Sequence, residues 1–292
     1  VWAFLVENEL TDKIVVITGG SQGIGRQIAI AFAKLKSRVI ICSRTKKDLE
    51  VVAKEIKSFG GHCENFTADV SNHSHVRRLF DKVIDMYGGL DILINCAGIY
   101  GPIGPFDEND AEEWENTMAI NLLGTVNAVR CAIPVMKKQR HGKIITFCGG
   151  GIGGPSIKPN LSAYTTSKFA IAGFTEAIAK EVKDFDIQIN AISPGAVNTR
   201  LLDQILKAGE IAGKDFLKEC KKQKMEGGTP PEKIAGLVIF LASKQSDYIT
   251  GKVISVVWDE YKNFYNIRDR LNSTSLYNLR RIDDFAFFEK TK

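Results

Sequence analysis

The sequence predicts an α/β protein, a single-domain doubly wound parallel sheet flanked by helices on both faces. Three observations carry this. Short β-branched runs alternate with longer amphipathic stretches over nearly the whole chain, the rhythm of strand–helix units whose strands are buried on both faces. A glycine-rich turn separates the first run from the first amphipathic stretch. The chain has 292 residues, 44% hydrophobic and 25% charged, which is enough for one large core.

The elements follow in order. Residues 13–18 (KIVVIT) form an apolar run ended by Gly19-Gly20, as a buried strand would be. Ile24, Ile28, Phe32 and Leu35 then mark one stripe of a helix. Residues 38–42 (RVIIC) make a second strand and residues 47–59 a second helix, stopped by Gly60-Gly61. The rhythm continues with a strand at 63–68, a helix at 76–87 and a strand at 92–95. A long helix at 114–138 is followed by a strand at 143–148 and a helix at 164–183. A strand at 187–192, a helix at 231–242 and a strand at 252–257 complete the sheet. Residues 1–10 are read as an N-terminal extension and residues 11–258 as the domain. Within it the helix-prone stretch 201–228 is an inserted lid. Residues 259–292 form an aromatic-rich extension, with Phe264, Tyr265, Tyr277, Phe285, Phe287 and Phe288 expected to pack on this subunit or a neighbour.

Bulk properties remove several function classes. A net charge of +5 with interspersed signs, and no nucleic-acid motif, argue against a nucleic-acid partner. No apolar run approaches the length that spans a bilayer, and residues 1–6 lack the basic flank of a signal peptide. Six cysteines scattered singly show no metal-type or disulfide-framework spacing. A cytoplasmic, reduced setting is the simplest expectation, with no metal site and no membrane partner.

The turn Thr18-Gly19-Gly20-Ser21-Gln22-Gly23-Ile24-Gly25 lets the backbone approach a pyrophosphate at a helix N-terminus, where unpaired N–H groups and the helix dipole favour an anion. At the end of the second strand, an acid would accept a ribose 2′-hydroxyl and an arginine a 2′-phosphate. The run here is Cys42-Ser43-Arg44-Thr45-Lys46-Lys47, with three cations and no acid. NADP is therefore expected over NAD.

Tyr164 and Lys168 lie four residues apart, on one face of a helix. An adjacent ammonium would lower the phenol from about 10 towards the range of a working acid–base. Alone, the pair is an ordinary one. With the nucleotide turn, Asn95-Cys96-Ala97-Gly98 after a central strand and Pro194-Gly195 after a later one, it resembles the short-chain dehydrogenase/reductase family. The resemblance extends over residues 10–257.

That resemblance implies a Rossmann-like enzyme transferring a hydride between a nicotinamide and a carbonyl or alcohol carbon. By position, Tyr164 would move the proton, Lys168 would lower its pKa and hold the ribose, and Asn121 would hold a relay water. Gly19, Ser21, Gln22, Gly23, Ile24 and Gly25 would line the cofactor turn, with Ser43 and Arg44 at the adenosine ribose. Asp69 and Val70 would flank the adenine, while Asn95, Ala97 and Gly98 would support the ribose. Pro194, Gly195, Val197 and Thr199 would position the nicotinamide. Homodimers or homotetramers through the two long helices, and a small-molecule substrate, are also implied.

One element of the family pattern is missing. A serine normally stands thirteen residues before the tyrosine and holds the substrate oxygen. Position 151 is glycine, and alignment by the strand leads to Cys148 or Gly149. Ser156, Ser162 or backbone amides of residues 149–151 are the possible replacements. The alternative is an NADP-binding regulator or scaffold with little turnover; a weaker one is an epimerase or dehydratase that retains its cofactor. A nucleophilic role for Cys148 lacks a histidine partner, and a small buried cysteine is the simpler reading. Leu201, Leu202, Ile205, Leu206, Ile211, Phe216 and Leu217 form either an apolar substrate wall or the buried face of a lid helix.

Overall fold

A computed structural model describes residues 8–149, 151–152 and 157–281. Seven parallel strands, β1 (Ile14–Thr18), β2 (Arg38–Ser43), β3 (His62–Thr67), β4 (Ile92–Asn95), β5 (Gly142–Phe147), β6 (Ile187–Ser193) and β7 (Val253–Ser255), form one sheet. Their order is β3-β2-β1-β4-β5-β6-β7. The chain reverses its winding between β1 and β4, so the crevice of a doubly wound sheet opens where those strands end.

Alternation along β1 divides the core. Val15 and Ile17 point to one face, Val16 to the other, as the two-residue strand period requires. The first face is covered by α1 (Gly23–Lys34), α2 (Lys46–Ser58) and α8 (Pro231–Ala242), through Ile28, Phe32, Leu49, Ile56 and Leu237. The second is covered by α3 (His73–Tyr87), α4 (Ala111–Gln139) and α5 (Ser162–Glu181), through Val76, Phe80, Val129, Met136 and Ala179. Residues 201–228 fall in a helical pair, α6 (Arg200–Ala208) and α7 (Lys214–Glu226), outside the two layers.

The ends are set by local chemistry. Asn72 caps α3 by accepting from His75 N, and Gly88 closes it in the left-handed conformation, the pairing that satisfies orphan groups at both ends. Predicted and observed boundaries differ by at most three residues. One expectation is corrected. Although no uninterrupted apolar run exists, α4 is 29 residues long and apolar enough by length and composition to cross a bilayer. Its Ala128, Val129, Ala132 and Met136 instead pack on the sheet. Sequence reading missed this because its apolar residues are spaced, not contiguous.

The C-terminal segment returns to the first face. A 3-10 turn at Tyr261–Ile267 and a short helix, α9 (Arg268–Ser273), bury Phe264 and Leu271 in the same cluster as Ile28 and Leu237. Tyr277 lies against Phe264, ring centroids 4.7 Å apart, whereas Tyr265 is exposed. Phe285, Phe287 and Phe288 lie outside the described residues.

Three strand starts are tied by Asp91, which accepts from Lys13 Nζ at 2.8 Å, Ile14 N at 2.9 Å and His141 Nε2 at 3.1 Å. Burial alone would raise this carboxyl, but those donors outweigh it and hold the group below the usual carboxylate range. Its stabilisation is therefore complete above the ordinary Asp pKa and is lost as pH falls through the lowered one. We expect Asp91→Ala to lower unfolding stability by about 1–3 kcal/mol at pH 7, with the difference from wild type shrinking in strong acid. Urea denaturation across pH reads both.

Candidate active site

The site forms on the C-terminal ends of β1, β4, β5 and β6, and its tightest constraint is a close backbone crossing. Gly19 has φ +68°, and a Cβ there would stand 2.8 Å from Ala97 Cα and N. At Gly25 a Cβ would meet the carbonyl oxygen of Gly19. Packing requires both glycines, and the left-handed backbone at Gly19 favours glycine there as well. Thr18 Oγ1 accepts from Cys96 N and Ala97 N, both at 3.2 Å, fastening the end of β1 to the end of β4. Sequence reading placed Thr18 at the head of the turn but gave its side chain no role, which depends on the register that sets it opposite Asn95.

Gln22 precedes α1 in extended conformation, and no side chain caps that helix. The N–H groups of its first turn, from Gly23, Ile24 and Gly25, thus face the crevice beside Ser21 with no intrahelical acceptor. After β2, Ser43 Oγ accepts from Thr45 N, and Arg44 is exposed with no ion pair among the described residues. Asp69 folds back on Ser71, accepting from its N and Oγ. Val70 is buried against Gly124. Asn95 is 3% exposed, yet neither end of its amide has a partner; orphans of this kind call for an explanation such as an unrepresented ligand or water. Uncapped N–H groups, a cradle that admits no Cβ and an orphaned amide suit a dinucleotide.

Asn121 lies in a π-turn, Ala119–Leu123, within α4. One inserted residue turns its side chain inward, as such bulges commonly do at functional sites. Its Oδ1 accepts from Ile99 N at 2.8 Å, and Nδ2 donates to Ile99 O and Ser167 Oγ, each at 2.9 Å. Both donor hydrogens are thus committed to protein atoms. Gly98 is pressed against this group; a Cβ there would lie 3.3 Å from Asn121 Oδ1 and 3.5 Å from Lys168 Nζ.

Tyr164 and Lys168 share a face of α5, as their spacing predicts. Lys168 is 6% exposed, and its Nζ donates to Phe147 O at 2.9 Å. The ammonium lies 5.5 Å from the centre of the Tyr164 ring. The expected electrostatics are not found in the isolated protein. Burial drives the Tyr164 phenol above its ordinary value, reinforced by Tyr100, Cys148 and Cys96. Burial likewise lowers the Lys168 ammonium, against a smaller opposing effect of Cys148 and Cys96. Desolvation disfavours both charged forms and is the largest influence on each.

Gly149, with φ +136°, is the residue beside the phenol: a Cβ on it would stand 3.6 Å from Tyr164 Oη. Ser162 instead takes the indole N–H of Trp114 at 3.1 Å, and Ser156 and Gly150 lie outside the described residues. Cys148 is buried, which pushes its thiol up to about 12; it holds no thiolate at neutral pH.

Pro194 and Gly195 follow β6. Gly195 has φ +77° and packs against Thr229 and Val257, Val197 leans on the core of the first face, and Thr199 caps α6 through Leu201 N. On the far side, Leu202, Ile205, Ala212 and Cys220 are buried in one cluster with Leu161, against which Tyr100, Tyr164, Leu206 and Phe216 pack. Leu217 is buried, Leu201 half-buried, and Ile211 is 49% exposed. The two readings of the lid merge, since its buried face is also the apolar wall over Tyr164. Tyr100, in edge-to-face contact with Tyr164 at 4.6 Å, was not identified from sequence, and no local pattern marks it.

Fold and site together define a nucleotide-binding α/β enzyme with a half-buried tyrosine beside a buried lysine at the winding reversal. The model of the short chain dehydrogenase family matches residues 13–209. The chain belongs to the short-chain dehydrogenase/reductase family of NAD(P)-dependent oxidoreductases. It is 30% identical over 248 residues to 3-oxoacyl-[acyl-carrier-protein] reductase FabG of Thermotoga maritima, covering 85% of this chain and 97% of that one. Among solved structures it resembles a variant of actinorhodin polyketide ketoreductase with NADPH (TM-score 0.75, 25% identity, 84% and 95% covered). It also resembles NAD+-bound xylitol dehydrogenase (TM-score 0.77, 25% identity, 85% and 98% covered).

Two outcomes follow from the geometry. Asn121→Ala should lower stability by about 2–4 kcal/mol, because it strands Ile99 and Ser167 groups in the interior; urea unfolding measures this. Cys148 should resist iodoacetamide at pH 8 in the native protein and react once urea unfolds it, as read by peptide mass spectrometry.

Proposed function

We propose that the protein is an NADP-dependent reductase of a small-molecule carbonyl, with Tyr164 as proton donor. The observation that carries this is the convergence of Tyr164, Lys168 and Asn121 with the glycine cradle at the β1–β4 reversal. A bound nicotinamide supplies the hydride to the carbonyl carbon. Tyr164 Oη gives its proton to the carbonyl oxygen as that oxygen gains charge, and solvent returns the proton. Burial that keeps Tyr164 neutral suits donation to a carbonyl more than abstraction from an alcohol. Lys168 favours the phenolate left after donation and binds the ribose; Asn121 keeps Lys168 and the Gly98 backbone in register.

In this reading Gly19, Ser21, Gln22, Gly23, Ile24 and Gly25 hold the pyrophosphate. Ser43 and Arg44 hold the adenosine ribose and its 2′-phosphate, supported by the absence of an acid in residues 42–47. Asp69, Val70, Asn95, Ala97 and Gly98 line the adenosine side, and Pro194, Gly195, Val197 and Thr199 the nicotinamide side. A homodimer or homotetramer through α4 and α5, and a cytoplasmic setting, belong to the same proposal. Gly149 favours a second reading. In it, a glycine rather than a hydroxyl-bearing residue stands beside Tyr164 Oη at position 149, and the protein binds NADP as a regulator and turns over little.

NADPH oxidation against a panel of ketoacyl thioesters, sugars, steroids and quinones separates the two. The reductase reading expects turnover that falls by about a thousandfold or more in Tyr164→Phe, within the range attributed to general acid catalysis and oxyanion contacts, while NADPH binding is unchanged. Tight NADPH binding with no turnover of any carbonyl supports the regulator.

A further inference from the structure

The lid is rooted on the cofactor turn. Thr199 Cγ2 lies 3.3 Å from the point where a Cβ on Gly23 would stand, so the strand-to-lid connection rests directly on the start of α1. The next residue, Arg200, opens α6, and its Nη1 reaches 3.6 Å from Asp48 Oδ2. Asp48 belongs to the first turn of α2, the helix that begins just after Arg44. One side chain therefore spans from the root of the lid to the edge of the adenosine side of the crevice.

This placement is electrostatically specific. A cation in the first turn of a helix opposes that helix's own dipole, so Arg200 gains nothing from α6 and needs an external anion. Asp48 provides one, but the pair is long and its side chains are 68% and 31% exposed, the kind of contact that contributes little to stability. The arrangement keeps a guanidinium at the first turn of α2 without a strong bond to hold it there. Arginine is the side chain best matched to a phosphate, through forked charge-assisted hydrogen bonds.

We propose that Arg200 is a second cation for the 2′-phosphate of NADP. Asp48 holds it near the α2 N-terminus in the free protein and yields it to the phosphate, so that cofactor choice and seating of the lid root are set by one residue. The inference rests on the NADP reading and extends it from β2 to the lid.

The test is titration of NADPH and NADH by quenching of protein fluorescence, in wild type, Arg200→Gln, Arg200→Lys, Asp48→Asn and Arg44→Gln, with thermal midpoints confirming that each variant is folded. Arg200→Gln should weaken NADPH by roughly tenfold, the worth of about 1.4 kcal/mol, and leave NADH within about twofold. Arg200→Lys should fall between, because an ammonium lacks the fork. Asp48→Asn should bind NADPH at least as tightly as wild type. Equal weakening of both cofactors by Arg200→Gln would show that Arg200 only anchors the lid, and no effect on either would remove it from the site; each overturns the inference while Arg44→Gln still loses its preference for NADPH. A wild type that prefers NADH, with Arg44→Gln unchanged, overturns the NADP reading and this inference with it.

Discussion

The site depends on an ammonium that has been taken out of water without a carboxylate partner among the described residues. Lys168 is buried, and among the described residues its hydrogen bond is to a peptide carbonyl, Phe147 O, at the end of β5. Removing such a charge from solvent costs several kcal/mol in a protein interior, so the surroundings must hold the lysine in place. Gly98 lies against both groups: a Cβ on it would stand 3.5 Å from the ammonium and 3.3 Å from Asn121 Oδ1. Asn121 locks the backbone at Ile99 with two hydrogen bonds and holds Ser167, beside the lysine, with a third. The π-turn that points Asn121 inward thus belongs to the same arrangement.

The sheet supplies the rigidity this requires. Parallel strands bring the ends of β1, β4, β5 and β6 to one edge, and Thr18 joins the first two directly. Lid and catalytic helix then meet over the phenol. Tyr164 packs with Tyr100 and the buried face of α6 and α7, so the surface a substrate would meet is apolar. Desolvation keeps the phenol neutral and weakens the ammonium together. Polar work is confined to a few groups, an economy common to small-molecule sites.

Much of this was legible in the sequence. β-branched runs such as KIVVIT and RVIIC located strands to within a residue or two, because a strand buried on both faces leaves a contiguous apolar signal. The glycine turn and the Tyr164–Lys168 spacing were equally local. What escaped depends on tertiary placement. Tyr100 and Asp48 carry no motif, and the motif that Thr18 opens does not reveal its side-chain bonds; each matters through a neighbour brought near by register or by the lid. The π-turn was invisible because an extra residue in a helix leaves apolar periodicity almost intact. The expected lowering of Tyr164 by Lys168 failed for a related reason: spacing gives proximity, but burial fixes which charge state survives.

The most direct measurement is a pH titration of the Lys168 side chain by NMR, using lysine labelled at Cε and assigned by the Lys168→Arg spectrum. The account predicts that this one resonance titrates well below the others in the folded, cofactor-free protein. Titration together with the surface lysines, near their ordinary pKa of about 10.4, would contradict it.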